Sequence, residues 1–179
     1  MQQVRVHDKW FDRFISADQI EARIDALAGQ LNQRYTDSRP LLIVVLNGAF
    51  VFAADLVRRL TCQPEVRFVR ISTYGDSMTS QTAPEVLMAD ELHVAGREVL
   101  IVEDIVDSGH TVHFFRQYLR QANPRSLDLI TLLYKPDSFR YDEAPQYVGF
   151  EIDPSFVVGY GMDYAQAGRQ LPDIYRLHT

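Results

Sequence analysis

At 179 residues the chain has the length of one domain, about 150 residues being usual, so residues 1–179 are read as a single unit. Hydrophobic residues at 46% and charged residues at 23% exclude a disordered chain, and a net charge of -6 argues against a surface built to bind nucleic acid or an anionic membrane. Cys62 is the only cysteine, which excludes an intrachain disulfide and a Cys-rich zinc site; the longest aliphatic run, residues 41–46, is far too short for a membrane helix, and a cytoplasmic location is expected.

Ser16 followed three residues later by Gln19 has the form of a capping box, and Ile20, Ile24, Leu27, Leu31 and Tyr35 then recur at helical spacing. Residues 41–46 read as a buried strand ending at Asn47-Gly48, after which Phe50, Ala53, Ala54, Val57 and Leu60 predict a helix. Residues 66–71 predict a further strand, and the polar, Ser/Thr-rich stretch 72–84 a mobile loop. Residues 98–102 read as a strand running into an acidic, Gly-containing turn, beyond which Val112, Phe115, Leu119 and Ala122 line a helical face. Residues 127–134 and 147–152 supply two more strands, so most of the chain predicts a doubly wound α/β sheet, with the last 20 residues breaking the rhythm. Trp10 and Phe11 are expected to be packing residues, and Cys62 a buried or bystander thiol rather than a nucleophile.

The chemistry concentrates in residues 99–111, VLIVEDIVDSGHT, where an aliphatic strand meets two adjacent acids, a third acid and Ser-Gly-His-Thr opening a helix. In an open α/β sheet, ligands lie beyond the carboxyl ends of the strands, which is where this order puts Glu103 and Asp104. Adjacent carboxylates can accept bonds from sugar hydroxyls or hold a hard cation such as Mg²⁺. The amides and hydroxyls of Ser108, Gly109, His110 and Thr111, at the positive end of a helix dipole, suit a phosphate monoester. A solvated acidic turn would account for any two of these features, not for all of them in 13 residues. His110 and His113 lack further nearby ligands and do not read as a zinc site.

This segment resembles the phosphoribosyl pyrophosphate signature of the type I phosphoribosyltransferases, specifically their hypoxanthine-guanine branch. Three other segments resemble the same branch in the right order: Leu46-Asn47-Gly48 its pyrophosphate-binding turn, Lys135 its purine-contacting lysine, and residues 156–169, FVVGYGMDYAQAGR, its base-binding and metal-binding segment. The resemblance implies a type I phosphoribosyltransferase fold, a doubly wound, mostly parallel sheet with a small hood from the chain termini. It implies Mg²⁺-dependent purine salvage, in which the 5-phosphoribosyl group passes from phosphoribosyl pyrophosphate to N9 of hypoxanthine or guanine. By the same resemblance, Glu103 and Asp104 bind the ribose hydroxyls directly or through Mg²⁺, residues 108–111 hold the 5′-phosphate, and Asp107 takes the N7 proton as N9 attacks. Lys135, one of two lysines beside sixteen arginines, becomes the donor to the purine 6-oxo group. Phe156 stacks on the base, Val157 offers its backbone to the base edge, Asp163 contacts the metal and Arg169 grips pyrophosphate. The Leu46-Asn47 peptide resembles one held cis, Ser72 and Tyr74 resemble the start of a lid, and relatives form dimers or tetramers.

Three positions depart from the common pattern of the branch. Asn47 stands where lysine is frequent, which leaves pyrophosphate to backbone amides; Ser108 replaces a threonine; and His110 stands where lysine is common, adding charge only when protonated. A sensor that keeps the fold and binds nucleic acid is the rival reading, disfavoured by the net charge of -6. Relatives acting on other bases are the third, and Lys135 argues against adenine but hardly separates hypoxanthine, guanine and xanthine.

Overall fold

The computed structural model describes residues 3–72, 85–88 and 92–178. Its main sheet has six strands in the order β5-β4-β3-β6-β7-β8: β3 is Leu41–Leu46, β4 Glu65–Ser72, β5 Glu85–Met88, β6 Glu98–Val106, β7 Ser126–Tyr134 and β8 Tyr147–Glu151. Five of these run parallel, and the edge strand β5 is antiparallel to β4. Parallel strands need crossovers that cover both faces, and the aliphatic runs of β3 and β6 supply a buried surface for each.

On one face α1 (Ala17–Arg34) and α2 (Phe50–Val57) cover Leu42, Val44, Leu100, Val102 and Ile130. On the other, α3 (His110–Arg120) covers Ile43, Val45, Val99, Ile101 and Leu129. The capping box of α1 is formed in both halves, with the Gln19 amide donating to Ser16 Oγ at 3.3 Å and the Ser16 amide to Gln19 Oε1 at 3.0 Å. Ile20, Ile24, Leu27 and Leu31 are its buried stripe, as the periodicity predicts.

A second, four-stranded antiparallel sheet, ordered β1-β2-β10-β9, joins the chain ends: β1 is Gln3–Val6, β2 Lys9–Ile15, β9 Val157–Val158 and β10 Ile174–Leu177. This is the expected hood.

Several expectations change. α2 stops before Leu60, because the Asn32 side chain binds both the Arg59 carbonyl and the Thr61 amide and turns the chain away. Its buried residues are Phe52, Ala53 and Leu56, whereas Phe50 and Ala54 face out. Phe11 is buried, but Trp10, on the opposite side of the same strand, is half exposed. The strand expected over residues 98–102 continues to Val106, so Glu103 and Asp104 are strand residues rather than part of a turn. Residues 73–84, most of the expected loop, and Tyr74 with them lie outside the described residues, as do residues 89–91. Ser72 closes β4. Cys62 is buried, which raises its thiol above the ordinary range and fits a bystander. Among the described residues no helix is long and apolar enough to cross a membrane.

Candidate active site

The site grows from two strand-to-helix turns lying side by side at the carboxyl edge of the sheet. β3 ends in a cis Leu46-Asn47 peptide, followed by Gly48 and α2. β6 is followed by Asp107, Ser108 and Gly109 and then by α3. Residues 45–48 and 103–112 line one cavity of about 280 Å³, together with Ile71. Gly109, with φ of 79°, is the N-cap of α3 and offers no side-chain cap, so the amides of the first turn at the cavity wall remain available to an anion. The His110 amide makes a long hydrogen bond to Ser108 Oγ at 3.4 Å.

Adjacent strand residues normally point to opposite faces, yet Glu103 and Asp104 both reach this cavity. The alternation slips here: Leu100 and Val102 belong to the α1/α2 core and Ile101 to the α3 core, but Ile105 packs against the first and Val106 against the second. β7 slips opposite it, with Leu132 and Leu133 both in the first core, so the pairing of Glu103 with Thr131 and Ile105 with Leu133 is kept. Burial pushes the Glu103 carboxyl well above its usual range, with the charge of Asp104 adding to it, and burial raises Asp104 as well. Two desolvated acids of this kind call for hydroxyl donors or a cation. Asp104 also fixes Gly48: a Cβ at that position would overlap the Asp104 carboxylate. Gly161, with φ of 97°, closes the stack from the hood side, since a Cβ there would overlap the Gly48 carbonyl oxygen.

A second cavity, of about 330 Å³, shares Asn47, Gly48, Asp104, Ile105 and Asp107 with the first and adds Lys135, Phe156, Val157, Met162, Asp163 and Arg169. Lys135 follows β7 and is 6% exposed; its ammonium pairs with Asp107 Oδ2 at 2.6 Å. Phe156 leads into β9 and is 44% exposed, held by Phe11 and Tyr164 at ring separations of 6.2 and 5.9 Å. Arg169 donates to the Gly161 carbonyl at 2.7 Å and pairs with Asp163 at 2.7 Å, which leaves three of its five donors for a ligand. Asp163 in turn accepts from the Gln166 amide at 2.8 Å.

The structure therefore brings together Leu46, Asn47, Gly48, Glu103, Asp104, Asp107, Ser108, Gly109, His110, Thr111, Lys135, Phe156, Val157, Asp163 and Arg169 around two joined cavities. The packing of Phe139 and Tyr141 behind Gly109 had no signal in the sequence, because residues 136–146 carry neither periodicity nor a motif. Phe139 occupies the space a side chain at Gly109 would need, and the Arg140 amide donates to the Ser108 carbonyl at 3.2 Å. The Gly48–Gly161 contact was also missed, since neither glycine reveals its distant neighbour. Among the described residues no three His, Cys, Asp or Glu side chains are grouped so as to hold a metal, so Glu103, Asp104 and Asp163, the acids expected to contact one, do not form a three-acid cluster.

Residues 16–165 match the Phosphoribosyl transferase domain. The chain is 39% identical to a hypoxanthine-guanine phosphoribosyltransferase of Bacillus subtilis, over 89% of each chain, and 43% identical to a hypoxanthine phosphoribosyltransferase of Salmonella typhimurium, over 86% of this chain and 88% of that one. Its fold is similar to the crystal structure of a hypoxanthine-guanine phosphoribosyltransferase from Bacillus anthracis, with a TM-score of 0.88 at 36% identity, covering 93% of this chain and 98% of that one.

Proposed function

The chain belongs to the phosphoribosyltransferase family, in its hypoxanthine-guanine branch, and from that premise we propose how its residues divide the work of purine salvage. The enzyme transfers the 5-phosphoribosyl group from phosphoribosyl pyrophosphate to N9 of a 6-oxopurine. The bond from C1 of the ribose to pyrophosphate breaks, the N9–C1 bond forms, and a nucleoside monophosphate and pyrophosphate leave.

The observation that carries the assignment of roles is the Lys135–Asp107 pair, a buried donor and an acceptor 2.6 Å apart in the cavity wall. A 6-oxopurine protonated at N7 presents the complementary edge, an acceptor at O6 beside a donor at N7. Lys135 donates to O6, and Asp107 accepts the N7 proton as N9 gains its bond to the ribose. Charge left on Asp107 then faces the electron-poor sugar carbon. Adenine offers an amino donor in place of O6, so the Lys135 ammonium, already held by Asp107, would face a second donor instead of an acceptor; this supports 6-oxopurines as the substrate class. Phe156 stacks on the base from the hood, and Val157 presents its backbone to the opposite edge.

In the other cavity the amides and hydroxyls of residues 108–111 hold the 5′-phosphate, and Glu103 and Asp104 bind the ribose hydroxyls. The backbone at Leu46, Asn47 and Gly48, with the remaining donors of Arg169, takes pyrophosphate. Glu103 and Asp104 also fit Mg²⁺, which is usually held by one or two carboxylates plus substrate oxygens rather than by a cage of protein ligands, and Asp163, paired with Arg169, lines the second cavity beside Asp104. When bound, Mg²⁺ would neutralise charge developing on the departing pyrophosphate. Ser72 and Tyr74 remain assigned to a lid, whose reason is the exclusion of water from a labile ester. The enzyme acts in the cytoplasm, as a dimer or tetramer.

Nucleotide formation from phosphoribosyl pyrophosphate with hypoxanthine, guanine, xanthine and adenine, with and without Mg²⁺, tests this reading. Turnover of hypoxanthine that needs Mg²⁺, with adenine inert, is expected. Tight binding of phosphoribosyl pyrophosphate without turnover of any base would instead favour a sensor.

A further inference from the structure

We infer that Tyr141 is a positioning residue for the 5′-phosphate, acting through His110; the inference rests on the assignment of residues 108–111 to that phosphate. His110 is the first residue of α3 and lines the phosphate cavity. Its Nδ1 lies 2.7 Å from the Tyr141 hydroxyl. A phenol O–H is a better donor than a neutral imidazole N–H, and an unprotonated ring nitrogen is a better acceptor than a phenol oxygen, so the hydroxyl donates to Nδ1. The ring proton then sits on Nε2, and the neutral imidazole still offers an N–H to an anion. This removes the difficulty posed by a histidine in place of a lysine, namely that it would contribute only when protonated.

Tyr141 is itself fixed by two aromatic neighbours. The His113 ring stacks on it with centroids 4.1 Å apart and planes 14° from parallel, and Gln117, one turn along α3, hydrogen-bonds His113 at 3.0 Å. Phe139 meets it edge-on at 6.1 Å and also packs edge-on against Tyr134 at 5.4 Å. The Arg140 amide, between the two aromatic residues, holds the Ser108 carbonyl of the phosphate turn at 3.2 Å. The hydroxyl is thus aimed by a packed wall, and the rigidity of that wall passes to an otherwise exposed imidazole.

The test is a double-mutant cycle on Tyr141→Phe and His110→Ala, read as KM for phosphoribosyl pyrophosphate, KM for hypoxanthine and kcat. Tyr141→Phe keeps the ring and its stacking and removes only the hydroxyl. Each single change is expected to raise KM for phosphoribosyl pyrophosphate by up to about tenfold, with kcat and the base KM nearly constant. The double variant is expected to be no worse than His110→Ala, because the hydroxyl acts only through the imidazole. Losses that multiply, or an unchanged KM in either single variant, would overturn the inference. In ¹⁵N spectra at neutral pH, His110 is expected to carry its proton on Nε2, and a proton on Nδ1 would equally overturn it. Ser108→Ala and Thr111→Val separate this failure from a deeper one. If they raise the same KM while Tyr141→Phe does not, only the role of Tyr141 falls; if they too leave it unchanged, the phosphate assignment falls.

Discussion

On the proposed roles, the phosphate half of the cleft comes from adjacent strand ends of the main sheet, chiefly residues 103–112 at the end of β6 with residues 45–48 at the end of β3, whereas the base half takes Lys135 from the end of β7, Phe156 and Val157 from the hood, and Asp163 and Arg169 from the loop beyond. The first is held by a strand buried on both faces and by the helix that follows it. The second depends on contacts distant in sequence, such as Phe11 on Phe156 and Gly161 on Gly48. The difference separates binding the reactive sugar phosphate from choosing the base. On the proposed roles, the first task falls to local turns at the sheet edge, and the second to a hood assembled from distant parts of the chain.

Perturbations should therefore divide along this line, and the largest effect is expected where the halves meet. Asp107→Asn should lower kcat about 10²- to 10⁴-fold while leaving KM for phosphoribosyl pyrophosphate within about twofold, because a proton acceptor is lost and the binding groups stay. Steady-state kinetics check this, and undiminished turnover would remove Asp107 from its role. Phe156→Ala should raise KM for the base about tenfold through lost stacking and leave KM for phosphoribosyl pyrophosphate unchanged; a parallel rise in both would break the separation of the halves. Gly161→Ala forces a Cβ into the Gly48 carbonyl at a positive φ, at a cost of about 3 kcal/mol. At roughly 2–4 °C per kcal/mol for a chain of this size, Tm should fall by about 10 °C. An unchanged melting curve would mean that the hood is not anchored on the β3 turn. The smallest effect is expected far from the cleft: Ser16→Ala removes one half of the α1 capping box and should cost about 1 kcal/mol in thermal unfolding with no change in kcat.

The same division governs what the sequence reveals. The α1 cap, the β3 strand and its Asn47-Gly48 turn, and the chemistry of residues 103–111 are local, so spacing and residue type are enough to read them. The end of β6 was misjudged because acids within a strand look like a turn until the slip in side-chain alternation that brings Glu103 and Asp104 together is visible. The hood strands were recognisable only through family resemblance, since β1, β2, β9 and β10 are short and pair across the whole length of the chain. The Lys135–Asp107 pair joins residues 28 apart, each just beyond the end of one of two neighbouring strands, and nothing in either segment announces the other.

That pair is the centre of the account, and the ratio of kcat/KM for hypoxanthine to that for adenine tests it most directly, measured in the wild type and in Lys135→Ala. The account predicts a ratio that falls by about tenfold or more in the variant, because the ammonium is the group that distinguishes an oxo from an amino substituent at position 6. A ratio that survives the loss of Lys135 would contradict it and send the search for base selection back to the hood.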